Sequence, residues 1–213
     1  MSHRAALVAI PVLVVLAATA ADPGVKYGDA VPAVIRPSDL ERIERSLHLS
    51  RFSVIAAVRL GAEEGREAVI AEPLSDAALA RVKAACEAGG FCPDPVGFVA
   101  ARVRIVVLDG PDIVPIATIE KQALSRGRRL VDLEGLGLEG EILGWNGRAE
   151  GANGHVALAL TPITVSGDGP AVAGLDPPLL VRFNPDRGRF QAYDCLRTED
   201  DTVRCDFRDE PGD

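Results

Sequence analysis

From Arg129 to Phe207 the chain repeats one pattern: short runs of alternating apolar and polar residues, separated by glycine, asparagine and proline. Alternation with a period of two puts successive side chains on opposite faces of a strand. Such runs bounded by turn residues read as antiparallel β-structure. The predicted strands are 129–134, 138–145, 155–165, 179–183, 189–197 and 202–208. Asn146-Gly147, Asn153-Gly154, Gly167-Asp168-Gly169-Pro170 and Asn184-Pro185-Asp186-Arg187-Gly188 supply turn signals. In the last, Pro185 presets the first turn position and Gly188 can take a positive φ, which predicts a hairpin. A second hairpin turning at Glu199-Asp200-Asp201 would set Cys195 opposite Cys205, within disulfide reach. Gly140 and Gly144 interrupt a strand, as in a sharply coiled sheet or at a barrel corner.

The first half mixes helix and strand. Residues 21–36 are aperiodic and read as an extended lead-in. Ser38 can cap a helix over 39–48, with Glu41 completing a capping box and Leu40, Ile43 and Leu47 forming its apolar face. Residues 52–60 alternate as a half-buried strand, 61–65 turn, and 67–71 return. Ser75 caps a second helix whose inner face is Leu79, Val82 and Cys86, ended by Gly89-Gly90. Residues 96–108 form the most apolar strand, with Val99, Ala101, Val103, Ile105 and Val107 on one face and Arg102 and Arg104 on the other. Residues 118–126 are expected as a short third helix closed by Gly127. The fold class is therefore α+β and β-rich: two or three short helices in the N-terminal half, and an antiparallel sheet or small barrel in the C-terminal half. One globular domain is expected over 37–208, dividing if at all into 37–128 and 129–208, with an acidic tail at 209–213.

The first 20 residues carry an export pattern. Arg4 is a positive start, Ala5 to Leu16 an apolar stretch broken by Pro11, and Ala18-Thr19-Ala20 a small-residue cleavage site. This predicts a signal peptide with cleavage before Ala21, and a periplasmic or secreted mature chain without a membrane span. Four cysteines remain, an even number in an exported chain, which predicts disulfides. The expected pairs are local, Cys86–Cys92 and Cys195–Cys205. Metal ligation suits them poorly, because the spacings are not C-x₂-C and no histidine flanks them. Of the 23 basic residues only Lys26, Lys83 and Lys121 are lysines, which with the many alanines is a coding bias expected of a bacterial genome.

Composition narrows function by exclusion. The formal net charge of −8 becomes −9 once Arg4 is removed, so a phosphate backbone is repelled and a nucleic-acid role is not expected. The mature chain holds two histidines, His48 and His155, with no G-x-S-x-G elbow and no H-E-x-x-H pair. His48 suits the last turn of an exposed helix. Glu199, Asp200, Asp201, Asp206, Asp209, Glu210 and Asp213 are acidic but lack EF-hand spacing. No cofactor is expected. Trp145, Arg148 and His155 are the candidate binding residues. An exposed Trp145 could stack on a sugar or anchor a partner with Arg148 as a directional donor. The competing expectation is a core tryptophan closing the end of a sheet. These features point to a secreted or periplasmic, non-enzymatic binding or interaction domain of the bacterial cell envelope, its partner an envelope protein or glycan. The alternatives are an exported hydrolase using carboxylates on the β-rich half, and a calcium-stabilised structural domain.

Overall fold

The computed structural model describes residues 28–61, 65–109, 111–131, 133, 136, 138, 140–174, 178–197 and 203–207, with backbone alone for 194–197 and 203–207. Two antiparallel sheets pack face to face. The first runs in the order β1 (Ser53–Arg59), β2 (Arg66–Glu72), β4 (Arg102–Val107), β5 (Pro115–Ile119), β6 (Ala123–Ser125), β7 (Arg128–Val131). The second runs β13 (Val203–Phe207), β12 (Arg189–Arg197), β11 (Leu179–Asn184), β9 (His155–Val165), β8 (Glu141–Ala152), β3 (Phe98–Ala100), with β10 (Val172–Ala173) added on β9. Val58, Val69, Ile105 and Ile119 of the first sheet meet Trp145, Leu158, Leu160, Val181 and Phe190 of the second in one buried core. Burial of this apolar area is the dominant favourable term.

Each outer face is partly covered by a helix. α1 (Pro37–Leu47) places Ile43 against Ala57, Ala68, Ile70 and Val106 of the first sheet. α2 (Asp76–Glu87) places Val82 and Ala85 against Ile163 and Val165 of the second. Ser75 caps α2 by accepting the Ala78 N–H at 3.2 Å, and a Cys86–Cys92 disulfide ties its last turn to the following chain. Leu79 points outward instead of in. The inward positions are Ala78, Val82 and Ala85, one residue out of phase with it. α1 also starts earlier than its serine suggests. Pro37 takes the first helical position, where a missing N–H costs nothing. Asp39 then reaches back to the Arg36 N–H at 2.9 Å and receives a two-pronged Arg66 guanidinium at 2.5 and 2.9 Å.

Three further expectations are corrected. The 96–108 strand breaks at Ala101: β3 belongs to the second sheet and β4 to the first. The buried positions change phase there, from Phe98 and Ala100 to Val103 and Ile105, while Val99 and Ala101 pack on the α2 side. A strand that bends and changes sheets makes a corner of the sandwich. Residues 118–126 form β5 and β6 and no helix. Arg126 and Gly127 have φ of 48° and 78°, a tight turn that brings β6 against β7. Asn146-Gly147 is no turn either, since β8 runs through it to Ala152. A Cβ on Gly147 would lie 2.6 Å from Leu160 Cδ2 and 2.8 Å from Phe98 Cζ, so glycine here serves close packing. The Asn153-Gly154 turn forms with φ of 54° and 72°, and the 185–188 loop joins β11 to β12 as expected. The β12–β13 register sets Cys195 opposite Cys205, with their side chains outside the described residues. Residues 1–27, the 199–201 turn and the acidic tail also lie outside them. Among the described residues, no helix is long and apolar enough to cross a membrane.

Candidate functional site

The structure sends the three sequence candidates in different directions. Trp145 is 0% exposed, and its Nε1–H donates to the Glu120 carbonyl at 2.9 Å. It is a core residue of β8, with its one polar atom satisfied, as a buried indole requires. No face of its ring is left for a ligand.

His155 opens β9 and sits between the sheets. Its Nδ1 lies 3.3 Å from Glu67 Oε1, and its ring stacks on Phe183 at 3.8 Å, with Phe190 edge-on at 6.3 Å. Glu67 is 1% exposed and projects from β2, and its other oxygen accepts the Val156 N–H at 2.8 Å. β11 pairs with β9 only as far as Leu158, so a side chain of the opposite sheet completes the ladder at Val156. The carboxylate also orients the imidazole, whose Nδ1 faces it. Sequence reasoning passed over Glu67. The available signal was a charged residue in phase with the apolar positions Val69 and Ala71 of β2.

Arg148 lies on the opposite face of β8 from Trp145, turned away from the core. Its Nε donates to Asp94 Oδ2 at 2.5 Å. The Asp94 carboxyl is held below its ordinary value, first by the Val96 N–H, against a smaller opposing effect of burial, and then by Arg148. Across the strands, Arg148 is in register with Ala159, Ala159 with Leu180, and Leu180 with Tyr193. One row along, Glu150 is in register with Ala157 and Arg182 with Gln191. Long side chains thus flank the small alanines of β9. Arg182 lies over the Tyr193 ring, 5.5 Å from its centroid, and 3.8 Å from Glu150 Oε2. Burial raises the Tyr193 phenol above its usual range, and the Arg182 charge partly offsets this. α2 covers this outer face only at its Ile163–Val165 end.

Arg148 alone of the three candidates belongs to this face. Arg182 and Tyr193, its neighbours across the sheet, were not singled out from sequence, because their proximity depends on strand order. Among the described residues, no group of three or more histidine, cysteine, aspartate or glutamate side chains is placed to hold a metal ion. The chain matches no family model, no curated protein and no solved structure.

Proposed function

We propose that this is a non-enzymatic binding domain of the bacterial cell envelope, exported and matured before Ala21, that docks an envelope protein or glycan on the outer face of β8, β9, β11 and β12. One observation carries the reading. On this face Arg148, Glu150, Arg182 and Tyr193 stand around the half-buried Ala159 and the buried Ala157, and among the described residues no helix covers them. Long amphipathic side chains around small ones present directional donors beside apolar surface. The disulfide of α2 accords with an oxidising compartment.

The test compares the wild-type chain with an Arg148→Gln/Arg182→Gln variant, each immobilised and exposed to solubilised envelope. The wild type should retain a component that the variant releases. Retention of nothing above background, or equal retention by both, would count against the proposal.

A further inference from the structure

We infer that the turn between β6 and β7 docks on an anionic lipid bilayer, with Arg126 and Arg128 on the headgroups and Val114 entering beside them. This contact belongs to the first sheet and is independent of the outer face of the second. Arg126, Arg128 and Arg129 are all exposed. Arg126 and Arg128 pair with no carboxylate of any described residue. Two segments, 111–116 and 123–131, form this end of the sheet, and Asp112 is their only acidic residue. The end is thus cationic on a chain whose net charge is −8. Arg126 also holds a φ of 48°, a left-handed conformation that asparagine and glycine adopt at less cost than arginine. An unfavourable backbone conformation that keeps a cation at the tip of a turn points to a role for that cation.

An apolar residue stands beside these cations. The Arg126 N–H donates to the Ile116 carbonyl at 3.0 Å, and Ala117 pairs with Ser125, so the turn lies against the start of β5. Val114, two residues before Ile116, is 65% exposed, more than any other large apolar residue described. A hairpin turn is convex and cannot enclose a small anion, but it can meet a flat array of headgroups at several points. Guanidinium groups take phosphate oxygens in pairs, and the valine reaches the acyl boundary between them. Cations rimming an apolar tip are the makeup of an interfacial contact. Repulsion from carboxylates more than about 10 Å from the surface is screened at about 0.1 M salt, so the charges in contact outweigh the net charge of the chain.

The purified chain is sedimented with vesicles of phosphatidylcholine alone and of phosphatidylcholine mixed with phosphatidylglycerol. It should partition onto the mixed vesicles and not onto the neutral ones, and added salt should release it. Arg126→Asn should weaken partitioning about fivefold. Its urea midpoint should hold or rise, because asparagine suits the turn. Arg128→Gln should weaken partitioning by a similar factor, and Val114→Ser should weaken it with the midpoint unchanged. Arg148→Gln/Arg182→Gln should partition like the wild type. Absence of partitioning onto the mixed vesicles, equal partitioning onto both kinds, or partitioning unchanged in Arg126→Asn/Arg128→Gln would each overturn the inference. Release by free glycerol phosphate at the same phosphate concentration would overturn it in favour of a small-anion site. Loss of partitioning in Arg148→Gln/Arg182→Gln, with the turn variants unaffected, would move the contact to the second sheet and overturn it too. Retention of an envelope component by the outer face is measured separately, so either result can fail without the other.

Discussion

Glu67 of β2 accepts the Val156 N–H of β9 at 2.8 Å, so a carboxylate of one sheet finishes the hydrogen-bond ladder of the other. Glu67→Leu would remove the only acceptor that this amide has among the described residues, and would take away the carboxylate beside His155 Nδ1. A buried group left unpaired costs about 1–3 kcal/mol, so a loss of about 2 kcal/mol or more is expected. Glu67→Gln keeps an oxygen for Val156 and should cost about half as much. Urea unfolding of the two variants measures the difference. A leucine variant as stable as the wild type would show that the inter-sheet tie contributes nothing.

The Asp39–Arg66 pair anchors the start of α1 to β2. Burial by itself raises the Asp39 carboxyl. The Arg66 and Arg36 hydrogen bonds and the charges of Arg66 and Arg42 outweigh it, and the net shift is downward. A depressed carboxylate stabilises the fold above its unfolded value, about 3.9, and loses that contribution as pH falls through the lower folded value. Asp39→Asn leaves Arg66 without its counter-charge and should cost about 3 kcal/mol near neutrality. Below about pH 4 the gap between variant and wild type should close. Stability curves measured across this range decide it, and a gap that persists into strong acid would place the effect elsewhere.

Trp145 is the single tryptophan and is sealed in the core, so its fluorescence reports the sandwich. Emission should be blue-shifted and resistant to iodide quenching, and ligands of the outer face should leave it unchanged. Trp145→Ala should cost about 3–5 kcal/mol through the cavity it opens, and Trp145→Phe less. Strong quenching by iodide in the folded chain would contradict this burial.

The Cys86–Cys92 bond closes a short loop at the end of α2. Constraining such a loop in the unfolded chain is worth about 2 kcal/mol. Cys86→Ser/Cys92→Ser should lower the urea midpoint accordingly, without changing the affinity of the outer face. Peptide mapping of the unreduced protein should recover Cys86 linked to Cys92, and Cys195 linked to Cys205. A Cys86–Cys205 link would refute local pairing.

Local sequence determined the elements wherever the chemistry was local. Ser75 capped α2, Asn153-Gly154 and Pro185–Gly188 turned their hairpins, and the alternation over 155–165 and 189–197 set β9 and β12 to the residue. It failed where a longer-range partner outweighed the local preference. Residues 118–126 became strands because neighbours on the sheet complete their backbone hydrogen bonds, and Asn146-Gly147 stayed extended because Leu160 and Phe98 pack against the glycine. The 96–108 run looked continuous because both of its pieces are apolar, and only the pairing of β3 with β8 and β4 with β2 divides it between sheets. The candidate site divides the same way. Arg148 was legible from its residue type beside Trp145. The burial of Trp145, the Glu67–His155 tie and the approach of Arg182 to Tyr193 were decided by strand order and register. Those join residues far apart in the chain, through contacts no local pattern encodes.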